Sequence, residues 1–193
     1  MVTELRIYFE GDARLRPGFH KFLSQIVQAA RARRCCVDLI ATGGTPVQDF
    51  RDGLRTHQNA WNILLLDSDM PFNGSLVELC HSKSLDPSRE ASVFWMVQIM
   101  ESWFLADLAA LRAYYGNSLQ EEDLRGNPRV EDRPKEDVYY GLKSATQETK
   151  RGEYHKTKHA PSLLAAVEVS LVRAAAPNCD RMFRIILGKL AEN

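Results

Sequence analysis

The run Trp61-Asn62-Ile63-Leu64-Leu65-Leu66 constrains this chain more than any other stretch. Ile63 to Leu66 are consecutive aliphatic residues, so a strand built from them has no polar face and must be covered on both sides, as a central strand of a parallel sheet is. The preceding segments fit that requirement. Leu5 to Phe9 and Cys36 to Ala41 read as strands, and Pro17 opens a stretch in which Phe19, Phe22, Leu23, Ile26, Val27 and Ala30 recur at helical spacing. Thr42-Gly43-Gly44-Thr45 interrupts the chain after the second strand, Pro46 suits the first turn of a helix, and Val47, Phe50 and Leu54 supply its apolar stripe. The pattern is βαβαβ with right-handed crossovers, an α/β, Rossmann-like arrangement.

Beyond it, a turn at Met70 to Gly74, a short helix through Leu76, Val77, Leu79 and Cys80, and a fourth strand from Ser92 to Val97 are expected. Gln98 to Tyr115 contains no Gly or Pro and reads as helix; Gly116 to Arg133 loses periodicity and reads as a loop or partly ordered excursion. Two helices, from Pro161 to about Ala175 and from Asn178 or Asp180 to Leu190, close the chain. The expectation is one domain over residues 1–193, its core at about 1–115 built on a four-stranded, mainly parallel sheet flanked by helices, with a helical C-terminal extension at about 135–193.

Lys and Arg total 25 against 25 Asp and Glu, so total charge points to neither nucleic acid nor membrane, and any such surface must come from uneven distribution. No apolar stretch approaches the roughly 20 residues of a membrane span. Met1 leads into a strand without a basic region followed by an apolar one, and the protein reads as cytoplasmic. Cys35, Cys36, Cys80 and Cys179 have no CxxC spacing and read as reduced packing residues.

The chemistry lies at the strand ends. Glu10-Gly11 closes the first strand and Asp67-Ser68-Asp69 the third, at the sheet edge where open α/β folds bind ligands. A lone DxD also fits a turn cap beside a solvated loop acid. Glu10 shifts the balance: three carboxylates gathered at one edge repel one another unless a cation lies between them, and oxygen ligands suit a hard divalent ion. Glu101 adds a fourth acid. On a helix its neighbours are Val97, Phe104, Leu105 and Leu108, an apolar face on which a carboxylate must be neutral, paired or metal-bound. Asp107, nearer mid-helix, could face solvent.

Lys143 to His159 carries Lys143, Lys150, Arg151, Lys156 and Lys158 against Glu148 and Glu153. Such a run commonly forms a solvated face; beside a metal site it could contact phosphate, with Lys156 or Lys158 as the cation aiding the transition state. The Thr42 to Thr45 segment could cradle a phosphate or be only a tight turn. Arg31, Arg33 and Arg34 suit the C-terminal carbonyls of the first helix.

With Glu10-Gly11 after the first strand and Asp67-x-Asp69 after the third, the chain resembles the toprim superfamily of topoisomerases and primases. Met100-Glu101-Ser102-Trp103-Phe104-Leu105-Ala106-Asp107 looks like an element of RloB-like proteins and of a related bacterial family described only as a domain of unknown function. Lys156-Thr157-Lys158-His159-Ala160 looks like that family's later basic element. The resemblance implies a toprim fold and Mg2+- or Mn2+-dependent phosphodiester cleavage of DNA or RNA, as in nucleases of the overcoming-lysogenization-defect type. Carried over, Glu10, Asp67 and Asp69 are catalytic and hold metal, Glu101 completes a second metal position, and Lys158 stabilises phosphate charge. Gly11, Lys143, Lys150, Arg151 and Lys156 are the expected phosphate or nucleic-acid contacts. Relatives of this kind commonly work with an ATPase in phage defence. This chain has no P-loop, so an ATPase would be a separate partner. The alternative is a toprim-like scaffold that binds a partner without cutting, and homo-oligomerisation stays open.

Overall fold

A computed structural model describes residues 2–72 and 74–192. The strands β1 (Glu4–Phe9), β2 (Cys36–Ala41), β3 (Trp61–Asp67) and β4 (Val93–Met96) form an all-parallel sheet in the order β2-β1-β3-β4. Helices α1 (Arg16–Phe22) and α2 (Ser24–Ala32) connect β1 to β2, α3 (Pro46–Thr56) connects β2 to β3, and α4 (Leu76–Ser82) lies between β3 and β4.

All residues of β3 are buried. Their side chains alternate between two cores: Ile63 and Leu65 join the larger one with Ile7, Phe9, Phe94 and Met96, whereas Leu64 and Leu66 join the smaller one with Tyr8, Phe50, Leu79 and Trp95. Each fully buried aliphatic side chain contributes about 1.5–3 kcal/mol relative to exposure, which makes this strand the anchor of the sheet. The larger core runs on into the C-terminal helices as far as Leu190, so the extension packs against the same sheet.

Those helices differ from the expectation. Gln98 to Tyr115 is not one helix. Gln98 has a left-handed backbone (φ 60°), Met100–Ala106 forms a 3-10 segment, and Asp107 restarts the chain as the N-cap of α5 (Leu108–Tyr115). Asp107 is buried rather than solvated: one oxygen accepts from Ala110 N at 3.0 Å and the other from Glu168 N at 2.9 Å. The expected loop at 116–133 contains short 3-10 turns at Glu121–Leu124 and Val130–Asp132, and it buries Leu119, Leu124 and Val130 in the larger core.

A helix not singled out in the sequence, α6 (Lys135–Thr146), follows. The expected Pro161–Ala175 helix is two helices, α7 (Lys156–Ala166) and α8 (Val169–Ala175), and α9 (Pro177–Ala191) ends the fold. Pro161 lies inside α7, and its carbonyl meets α1 at Gly18, where an added Cβ would come within 2.7 Å of that oxygen. The missing side chain lets α1 and α7 approach, and α7 carries Lys156. Cys35, Cys80 and Cys179 are buried free thiols, but Cys36 is exposed and is not a packing residue.

Candidate metal and phosphate site

The parallel register aligns the acids. Phe9 pairs with Leu65, so the residue after β1, Glu10, reaches the end of β3 and donates its N–H to Leu65 O at 2.9 Å. Its carboxylate then accepts from Asp67 N at 3.1 Å. The third acid arrives from β4. That strand pairs Met96 with Asp67, turns at Gln98 and enters the 3-10 segment, where Met100 N donates to Asp67 Oδ1 at 2.9 Å and the next residue is Glu101. Every residue from Met100 to Leu105 is buried, because the segment threads the interior.

Between Asp67 and Glu101 stands Lys156, the first residue of α7. Its Nζ is 3.5 Å from Glu101 Oε1 and 3.7 Å from Asp67 Oδ2, and 3.4 Å from the Tyr139 hydroxyl. A lysine at a helix N-terminus opposes the helix dipole, so its place here is set by the acids rather than by helix stability. Glu101 has no accessible surface. Its Oε1 also accepts from the Tyr154 hydroxyl at 3.0 Å, while Oε2 is buried without a hydrogen-bond partner. Leaving a buried charged acceptor half-satisfied costs about 1–3 kcal/mol or more.

Burial raises the Asp67 carboxyl to about 8; Lys156 opposes the shift, and the nearby Glu101 and Glu10 charges add to it. Glu10 is raised chiefly by burial, against the hydrogen bond from Asp67 N and the charge of Lys83. Burial works against the Lys156 ammonium, but Glu101 and Asp67 hold its pKa above the ordinary lysine value. Burial, then the Glu101 charge, pushes the Tyr139 phenol up to about 12.

These features fit a divalent cation. Once Asp67 is ionised, three carboxylates face one ammonium, and Glu101 keeps a bare oxygen that a hard cation would satisfy. As they stand, no three His, Cys, Asp or Glu groups among the described residues are drawn together tightly enough to enclose an ion. Glu10, Asp67 and Glu101 would hold one after a local closure and a shift of Lys156.

A family profile matches residues 12–186. The chain belongs to the family described as a domain of unknown function, DUF4276. No curated protein and no solved structure matches it. The matched region of this DUF4276 chain contains Asp67, Asp69, Glu101 and Lys156.

The other expected residues lie as follows. Asp69 sits at the rim of this candidate site with a left-handed backbone (φ 58°), a conformation Asp tolerates better than most residues. It pairs with Lys83 at 2.6 Å and faces Lys135 at 3.8 Å. Ser68, between the two aspartates, is structural: its hydroxyl donates to Met70 O at 2.6 Å and accepts from Gln98 N at 2.7 Å. Lys158 is exposed, and no ion pair joins it to the acids among the described residues; Lys156, two positions earlier, occupies that place. Lys143 pairs with Glu153 at 3.2 Å, Lys150 is exposed in a turn, and Arg151 lies over the Tyr114 ring at 4.1 Å while donating to Tyr114 O. The basic stretch therefore does not converge on the acids as one patch. Gly11 (φ 132°) bridges to Gly43 and packs against Leu15, which brings the Thr42 to Thr45 loop beside Glu10. A cleft of about 260 Å3 runs there between Glu10, Gly44, Gln48 and Lys83.

Sequence reasoning missed Lys83, Lys135 and Tyr139. Lys83 and Tyr139 carry no pattern that separates them from ordinary surface residues. Lys135 does carry one: it follows Pro134 as the first residue of α6, a dipole-opposed lysine like Lys156. Its N–H donates to Gln98 Oε1 at 3.1 Å, which ties α6 to the same strand exit that positions Glu101.

Proposed function

We propose that this chain is a divalent-metal-dependent phosphodiesterase of toprim type that cleaves DNA or RNA. The observation that carries the proposal is the convergence of Glu10, Asp67 and Glu101 from the exits of three parallel strands, with one lysine between Asp67 and Glu101 and a buried carboxylate oxygen left bare. Glu10, Asp67 and Glu101 would hold Mg2+ or Mn2+, and Asp69 at the rim would face the incoming substrate. When bound, a divalent cation neutralises charge on the phosphoryl group and makes the attacking water more acidic.

The chain's own groups supply the rest. Asp67, held protonated near neutrality by burial, would release its proton to solvent on binding a cation. Lys156 leaves the acids and turns its ammonium to a phosphate oxygen, where it offsets charge that grows in the transition state. Lys83 and Lys135, now balanced by Asp69, lie at the entrance where a polyanion would approach. Gln98 and Ser68 hold the strand exits in register, so the acids stay neighbours without substrate. A separate ATPase is the partner we propose on the toprim resemblance.

The test is cleavage of labelled plasmid, single-stranded DNA and bulk tRNA by the purified chain in Mg2+, Mn2+ or EDTA, beside Asp67→Ala. Metal-dependent cutting that Asp67→Ala abolishes supports the proposal. Metal-independent cutting, cutting that survives Asp67→Ala, or no cutting of any substrate together with no metal-induced thermal shift would replace it with the non-catalytic scaffold.

A further inference from the structure

We propose that Tyr154 is a positioning residue that fixes the Glu101 carboxylate so that one oxygen stays free for a divalent cation. The inference rests on the metal-dependent reading above.

Two groups reach Glu101 Oε1, the Tyr154 hydroxyl at 3.0 Å and the Lys156 ammonium at 3.5 Å, and neither supplies a hydrogen bond to the buried Oε2. Buried carboxylates ordinarily have partners on both oxygens, so a bare one in a site that also holds Asp67 points to a ligand from outside the chain.

The two partners differ in mobility. Lys156 has a flexible stem and a side chain that is 41% exposed, so it can leave Glu101 when a cation arrives. Tyr154 cannot follow it. The residue is buried, its N–H donates to Thr146 Oγ1 at the end of α6 at 2.7 Å, and its ring packs edge-on to Phe104 and beside His159. The hydroxyl of a neutral phenol is an O–H donor, and the packing of the ring keeps it aimed at Oε1. Tyr154 therefore keeps Oε1 and prevents the carboxylate from rotating while Lys156 exchanges with the ion. It sits outside the reacting atoms and acts through Glu101.

The test is calorimetric Mn2+ titration of the full chain, with Tyr154→Phe beside Tyr115→Phe. Tyr115 is a second buried phenol of the same cluster, bonded to His159 Nδ1 at 2.9 Å rather than to an acid, and reports general packing damage. Hydrogen bonds that orient metal ligands typically contribute about 10–100-fold in affinity, so Tyr154→Phe should weaken Mn2+ binding by at least about 10-fold. Tyr115→Phe should leave it unchanged, and the nucleic-acid cleavage lost in Tyr154→Phe should return at high Mn2+. Equal Mn2+ affinity in Tyr154→Phe and wild type, an equal loss in Tyr115→Phe, or a cleavage defect that saturating Mn2+ does not restore would overturn the inference alone. A wild-type chain that binds no Mn2+ would overturn the metal reading, and this inference with it.

Discussion

The Lys156 ammonium stands 3.5 Å from Glu101 and 3.7 Å from Asp67, between the two buried acids. The lysine is thus the counter-ion of the resting site and, on the proposed metal-dependent reading, would compete with the cation. Removing one partner of a buried ion pair costs about 3–5 kcal/mol. The Lys156 side chain is 41% exposed, so we expect Lys156→Met to destabilise the metal-free fold by about 2 kcal/mol. It should also bind Mn2+ more tightly than wild type, while cleavage falls about 10²–10³-fold for want of the charge offered to the phosphate. Thermal melts with and without Mn2+, set beside cleavage rates, check all three outcomes.

Asp67 gives the pH dependence of the metal-free protein. Its folded pKa of about 8 lies above the ordinary aspartate value, so the folded state binds the proton more tightly than the unfolded chain. The stability Asp67 contributes is full below about pH 4 and is lost as pH rises through about 8. In EDTA, the wild-type melting temperature should fall relative to that of Asp67→Asn between pH 5 and 8, and Mn2+ affinity should rise over the same interval. A constant difference between the two proteins would contradict the shift.

His159 acts in the opposite direction. It is buried, its Nδ1 accepts from His155 N at 3.2 Å at the start of α7, and burial, then the charges of Lys158, His155 and Arg151, depress its pKa. A depressed histidine favours the neutral folded form, so its contribution is present above about pH 6.5 and is lost as pH falls below that value. The urea midpoint should drop between pH 7.5 and 5 more steeply in wild type than in His159→Asn.

Gly18 links packing to chemistry. A Cβ there would meet Pro161 O at 2.7 Å and Leu164 Cβ at 3.1 Å, which forces α1 and α7 apart. Overpacking of this kind costs about 1–3 kcal/mol, and α7 carries Lys156. Gly18→Val should lower the melting temperature and reduce cleavage together, whereas Gly43→Ala, with open space around the added Cβ but a positive φ of 56°, should lower stability without the same loss of cleavage. Melting curves and cleavage assays of the two variants provide the comparison.

The parallel sheet was legible because Ile63 to Leu66 put aliphatic residues on both faces of β3, and the βαβαβ spacing leaves little choice of connection. Glu10 and Asp67 were legible for the same reason: strand ends are visible, and register then brings them together. The burial of Glu101 was expected on helical spacing, yet the segment is 3-10, and the burial comes from its passage through the core. The resemblance put Lys158 in the catalytic role, yet Lys156 is the lysine that meets the acids, because which one does so depends on where α7 starts and how it docks on α1, both tertiary facts. The stretch from Gly116 to Arg133 looked structureless because Leu119, Leu124 and Val130 anchor it too sparsely to show a period.

The most direct measurement is an anomalous difference map from a crystal soaked in Mn2+. The account predicts one or two peaks with oxygens of Glu10, Asp67 and Glu101 among the ligands at about 2.0–2.6 Å, Glu101 contributing Oε2, and Lys156 displaced from its place between the acids. Full Mn2+ occupancy elsewhere on the chain, or no peak while Lys156 still bridges Asp67 and Glu101, would contradict it.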